Sequence, residues 1–349
     1  MDMNISNISN ISNISSIKEY KKVSSRIGWS LCIFLAMINI VSLLRTVIAE
    51  ILFENLIYDA YYIVDSLLYD IGYLASFIVP AIIIRHSLKK KGLLQPLKQN
   101  TGKLTATSLL LIPIGIFVTQ LVGYINSIAM SVFGVSEAYS ELVGGYEFYF
   151  GYEIVLMFIG TALVPAVAEE FLFRATVLSN LKPYGKVMAV VGSSVLFGLM
   201  HQNPYQLLYA TASGLVLGYA YLKTGSIWCP MLIHFFNNAF SVTQQVILGN
   251  CQEDVAIILV LLTNLLMYIV GVICAIFYIK KMIKEKRVKY KDGSFGVLLE
   301  ESYDYSSKPI EKGKVRGFFT VGMIVFIVLA LLLSFLLLAV LMDMSGGAA

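Results

Sequence analysis

Residues 150–177 read FGYEIVLMFIGTALVPAVAEEFLFRATV. The run is apolar enough for a membrane span, yet near its far end stand Glu169, Glu170 and, four residues on, Arg174. A charge near a bilayer centre costs about 2.5 to 3.5 kcal/mol on insertion scales, so a span with three must recover that energy through partners or function. On a helix Glu170 and Arg174 are i and i+4, the favourable order for an ion pair, whereas Glu169 stands about 100° around the axis. The pair can neutralise itself and leave Glu169 free. Arg174 and Glu170 are therefore assigned a supporting role, and Glu169 the reactive one of general base.

Working outward, the chain has three histidines. His86 lies beside Arg85 at a span end and reads as interfacial. The other two are intramembrane: Phe197 and His201 share a helix face at i and i+4, and so do His234 and Asn238. Counted at about 1.5 Å per residue from the cytoplasmic ends of their spans, Glu169, His201, His234 and Asn238 fall at overlapping depths. Convergence of these groups is the functional expectation.

The rest of the chain sets the class. Of 349 residues 58% are hydrophobic and 14% charged, against roughly 25% charged in soluble domains, and several apolar runs exceed the length of a span. The expectation is an all-α, polytopic integral membrane helix bundle of about nine spans, at 27–48, 62–84, 105–130, 150–180, 186–202, 205–222, 228–248, 254–279 and 317–342. Residues 1–26, with Asn-Ile-Ser repeats beginning at Asn4, Asn7, Asn10 and Asn13, read as a disordered cytoplasmic tail. Residues 27–140 are N-terminal spans, 141–250 a catalytic core, and 251–349 C-terminal spans with a cytoplasmic loop at 280–316. The tail has four basic residues, the loop after the second span includes Lys98 and Lys103, and eleven basic residues lie between Lys280 and Arg316. Glu50, Glu54 and Asp59, then Glu137, Glu141 and Glu147, then Glu253 and Asp254 mark the other side. Positive charge inside gives a cytoplasmic amino terminus and an external carboxyl terminus. The formal net charge of +4 thus reflects topology, and no nucleic-acid motif accompanies it. Cys32, Cys229, Cys251 and Cys274 are isolated and read as apolar fillers, neither disulfide framework nor zinc cluster.

Three motifs now stand in order: Glu-Glu-Phe-Leu-Phe-Arg at 169–174, Phe-Gly-Leu-Met-His at 197–201 and His-Phe-Phe-Asn-Asn at 234–238. They resemble the EExxxR, FxxxH and HxxxN motifs of the CAAX-protease and bacteriocin-processing (CPBP, or Abi) family of intramembrane proteases, which includes the CAAX prenyl endopeptidase. The resemblance covers residues 145–250. It implies an intramembrane endopeptidase in which Glu169 and His201 activate a water while His234 and Asn238 stabilise the oxyanion. Glu170, Arg174 and Phe197 support them. The substrate class it implies is a membrane-embedded or lipid-associated peptide or protein, with membrane lipids as the other partners. The residue usage and compact loops point to a bacterial cell membrane.

Peptide hydrolysis needs a base near the attacking water and preorganised donors for the oxyanion, and glutamate, imidazole and amide supply both. Zinc is the alternative cofactor, with Glu169, His201 and His234 as its ligands. The chain has no HExxH, and Asn238 one turn from His234 suits an oxyanion donor better than a zinc ligand, so no cofactor is favoured. Other classes fit less well. Asp65 and Asp70 have no GxGD partner for aspartyl chemistry, and Thr211-Ala-Ser-Gly214 lacks the first glycine of a rhomboid GxSG. Small residues there, with Gly218, suit close helix contact. A transporter lacks its internal repeat. The alternative function is a non-catalytic membrane regulator or bacteriocin-immunity protein binding a membrane partner.

Overall fold

The computed structural model describes residues 5–95, 104–132, 151–289, 295–297 and 312–346. The loop charges Lys98, Lys103, Glu137, Glu141 and Glu147 lie outside these residues. Helix α1 (Ile5–Asn55) is followed by α2 (Tyr58–Lys89) and α3 (Ala106–Val132). A long helix α4 (Gly151–Tyr184) carries the glutamates. Then come α5 (Lys186–Met200), α6 (Pro204–Thr224), α7 (Trp228–Asn250) and α8 (Glu253–Lys286). The chain ends in α9 (Lys312–Phe318) and α10 (Val321–Gly346). α1 lies along α2 and α10, α5 against α6, and α3 against α6, α7 and α8.

Each expected span falls largely on a helix, the one at 317–342 crossing the break between α9 and α10. Among the described residues, six helices are long and apolar enough to cross a membrane: α1, α2, α3, α4, α8 and α10; nine crossings would require α5, α6 and α7 as well. α5 is apolar but has only 15 residues, while α6 and α7 have the length without the apolarity. The reason is where their side chains go. Tyr209 and Ser213 of α6 and His234, Asn237 and Asn238 of α7 all line an internal cavity, which dilutes the hydropathy of these helices. The apolar helices are enclosed to very different degrees: only 6% of the most apolar stretch of α8 is buried, against 39% for α4. Leu261, Leu266 and Phe335 are each 63% exposed, an arrangement tolerable only where lipid is the solvent. The protein is an integral membrane protein.

Two expectations are corrected at the ends. The disordered tail at 1–26 is helical from Ile5 onward. Tyr20, Val23, Ser24 and Ile27, at spacings of three and four, are buried, and the Ser24 hydroxyl donates to the Phe318 carbonyl, so this face gains a partner that composition did not reveal. Part of the expected loop at 280–316 is secondary structure. α8 continues to Lys286, since Lys280–Lys286 contains no helix breaker, and β1 (Arg287–Lys289) then pairs antiparallel with β2 (Phe295–Val297). These are the strands among the described residues of an otherwise helical protein. The acidic Glu300–Tyr305 stretch lies outside the described residues.

Candidate active site

The site grows from irregularities in α4. The helix widens to π geometry over Phe158–Leu163 and again over Phe171–Leu178, with a regular α turn at Val164–Glu170 between them. Proline has no N–H, so Pro165 cannot bond the carbonyl four residues back, which belongs to Thr161. The Val164 N–H reaches Ile159 O instead, and Thr161 O accepts the Asn238 Nδ2–H at 3.0 Å. A break in one helix thereby orients a side chain on another. π turns of this kind recur at functional sites.

Glu170 and Arg174 pair as their spacing predicts, Nη1 to Oε1 at 2.6 Å, with side chains 0% and 1% exposed. Arg174 also donates to Gly214 O at 3.2 Å, and its guanidinium lies 4.4 Å over the Phe197 ring. Glu170 does more than balance that charge. Its Oε1 accepts the His234 Nδ1–H at 3.0 Å, so the supporting carboxylate orients the imidazole on α7. Glu169 is not free of partners either. One oxygen accepts the Tyr73 hydroxyl from α2, while Oε2 is buried without a hydrogen-bond partner and lies 3.9 Å from His234 Nε2.

His201 caps the end of α5. Its Nδ1–H donates to Phe197 O at 2.8 Å, which leaves the Nε2 lone pair for the cavity. The next residue, Gln202, has φ 52, a left-handed conformation unfavourable for a residue with a side chain. Such strain is common beside working groups. Asn39 of α1 secures it, donating to Gln202 Oε1 at 2.8 Å. Asn203 then caps α6 by accepting from Tyr205 N, with Pro204 in its first turn.

Glu169, Phe197, His201, His234 and Asn238 all line one cavity of about 370 Å³. Glu170 and Arg174 stand behind it. The same cavity is also lined by residues that the sequence reading passed over. Asn237, 5% exposed, accepts from Thr119 at 2.5 Å and Gln120 at 3.1 Å and donates to the Tyr209 hydroxyl at 2.8 Å. It also donates to Asn238 Oδ1 at 3.3 Å, fixing which end of that amide faces Thr161. Tyr73 was missed too, although Tyr69, Tyr73 and Phe77 form a one-face ladder at i, i+4 and i+8 with ring centroids 5.7 and 4.7 Å apart. An aromatic stripe reads as core by pattern alone.

The aspartates of α2 do different things. Asp65 takes a two-point contact from Arg45 at 3.0 and 2.7 Å. Asp70 is buried against Gly160, where a Cβ would lie 2.8 Å from its Oδ1. The small residues of α5 and α6 serve close approach: a Cβ on Gly214 would stand 3.0 Å from Ser194 Cα, and one on Gly198 would overlap Thr211.

Residues 151–240, from the start of α4 into α7, match the family described as type II CAAX prenyl endopeptidase Rce1-like. Over 182 residues, half of this chain, the sequence is 30% identical to the Bacillus subtilis (strain 168) protein named "Putative membrane peptidase YdiL", and the match covers 70% of that protein. The chain belongs to the Rce1-like family. No solved structure matches it. The Rce1-like segment contains every residue of the constellation from Glu169 to Asn238, while Tyr73, Thr119 and Gln120 reach it from outside the matched region.

Proposed function

We propose that this Rce1-like protein is an intramembrane endopeptidase that hydrolyses a peptide bond of a membrane-associated protein or peptide, using water and no metal. The observation that carries the reading is the convergence of Glu169, His201, His234 and Asn238 on one cavity, with Glu169 Oε2 buried and unbonded. A buried carboxylate oxygen without a donor suits a bound water. Glu169 takes a proton from that water as its oxygen attacks the scissile carbonyl carbon, and His201 Nε2 accepts the water's other hydrogen in a hydrogen bond. The carbonyl π electrons move onto oxygen. His234 Nε2–H and the second Asn238 Nδ2–H donate to that oxyanion.

With Nδ1–H committed to Glu170, His234 donates through Nε2 only as the doubly protonated ring. Two carboxylates, Arg174 and that imidazolium then cancel in formal charge, which suits a low-dielectric setting. Collapse of the intermediate breaks the C–N bond, Glu169 returns its proton to the leaving amine, and the products are a carboxylic acid and an amine, which become carboxylate and ammonium when the acid proton passes to the amine. The metal-independent reading draws support from the donor set. Asn238 directs its Nδ2 end to Thr161 O at 3.0 Å, and an amide N–H group donates to an oxyanion but ligates no ion.

The test is a comparison of new amino termini, by mass spectrometry, in membranes of cells expressing wild type or Glu169→Gln. Termini that appear only with wild type, with their uncut precursors accumulating on the variant, are expected. Identical terminus profiles at equal expression would overturn the reading.

A further inference from the structure

A second cavity, of about 610 Å³, lies where α2 ends. The helix stops at a turn in which Gly92 has φ +66, Leu93 N bonds Leu88 O at 3.0 Å and Gly92 N bonds Lys89 O at 3.1 Å. This closure satisfies the last carbonyls and folds Leu94 back beside the helix. Gln95 N then bonds Asn180 Oδ1 at 2.9 Å, tying the turn to α4. The cavity between them has two unlike parts. Ile82, Leu94 and Phe171 form an apolar wall, and Arg85, His86 and Lys89 form a nitrogen-rich rim with no acidic residue. Arg85 Nη1 is buried and has no hydrogen-bond partner. Arg85 itself lines the cavity, and the planar fork of arginine matches phosphate.

We propose that this cavity is a binding site for an anionic phospholipid, with the headgroup phosphate on Arg85 and Lys89 and an acyl chain along Ile82, Leu94 and Phe171. Its position selects a lipid over a free anion. Arg85, His86 and Lys89 stand in the last two turns of α2, an apolar helix long enough to span a bilayer, and a span end is where lipid phosphates lie and basic residues between helices collect them. The apolar wall adjoins the rim as acyl chain adjoins headgroup. The site is separate from the cavity around Glu169, although Phe171 follows Glu170 directly in sequence. The inference does not depend on the proposed peptidase activity.

The experiment is native mass spectrometry of the full chain, purified in detergent, delipidated and equilibrated with equimolar phosphatidylglycerol and phosphatidylcholine of the same acyl length. Wild type is expected to retain phosphatidylglycerol about tenfold over phosphatidylcholine, since both carry the phosphate but choline sets a cation against the basic rim of Arg85 and Lys89. Arg85→Gln should bring the ratio near parity. Because Arg85 is partly buried, two milder variants accompany it. Lys89→Gln, at an exposed position, should lower the ratio while leaving folding unchanged, and Leu94→Trp should lower phosphatidylglycerol retention by filling the apolar half. Equal retention of both lipids by wild type, an unchanged ratio in the folded variants, or displacement of the lipid by equimolar inorganic phosphate would each overturn the proposal.

Discussion

Replacing Arg174 by alanine should destabilise the protein severely. Arg174 and Glu170 form a contact of 2.6 Å with both side chains essentially inaccessible, so truncation leaves two buried carboxylates with His234 alone to balance them. Breaking a buried pair from one side costs about 3 to 5 kcal/mol. The guanidinium stacked 4.4 Å over Phe197 contributes up to about 2 kcal/mol when desolvated, but the two terms share one side chain and do not simply add. His234 still donates to Glu170 and softens the loss. The expected destabilisation is therefore about 3 to 5 kcal/mol. Unfolding free energy in mixed micelles, followed by SDS titration, measures it. Glu170→Gln with Arg174→Met removes both charges while keeping an amide oxygen for His234 Nδ1–H, and should recover about 1 to 3 kcal/mol relative to the sum of the single changes. A loss under about 1 kcal/mol for Arg174→Ala, or strict additivity in the double variant, would refute the account of a self-neutralising buried pair.

The remaining expectations concern chemistry and topology. On a substrate found through the comparison of termini, Glu169→Gln should abolish cleavage without changing thermal stability, whereas Tyr73→Phe, which deletes one hydrogen bond to that carboxylate, should lower kcat about tenfold with little change in KM. Equal kcat for Tyr73→Phe and wild type would remove Tyr73 from the site. Asn238→Ala should reduce kcat about 10² to 10³-fold, the usual effect of losing one oxyanion donor; a change confined to KM counts against that role. Chelation should leave activity intact, and elemental analysis of active protein should find no stoichiometric metal; a zinc ion lost and restored together with activity would sink the metal-free mechanism. Reporters at the amino terminus and within residues 280–316 should read cytoplasmic and one after Ala349 external. A cytoplasmic carboxyl terminus would require an even number of crossings and leave an odd number of α5, α6 and α7 short of the far face.

What the sequence disclosed was local or compositional. Apolar length revealed the spans, helical spacing revealed the Glu170–Arg174 pair and the Phe197–His201 stack, whose rings lie 5.2 Å apart, and the three motifs marked the segment that holds the constellation. Each of these signals is carried by residues within five positions of one another or by a continuous run, so one-dimensional periodicity suffices. The contacts that define the site are of another kind. Tyr73 meets Glu169 across 96 residues, His234 meets Glu170 across 64 and Asn238 meets Thr161 across 77. No periodicity encodes such separations. The tail showed the same limit, because burial of Tyr20 and Val23 depends on α9 and α10 arriving from the far end of the chain. Pro165 stood in plain view, but its consequence required knowing that an amide on another helix lay opposite the carbonyl it left unbonded. A backbone group freed in one helix becomes a site only when tertiary structure brings it a partner.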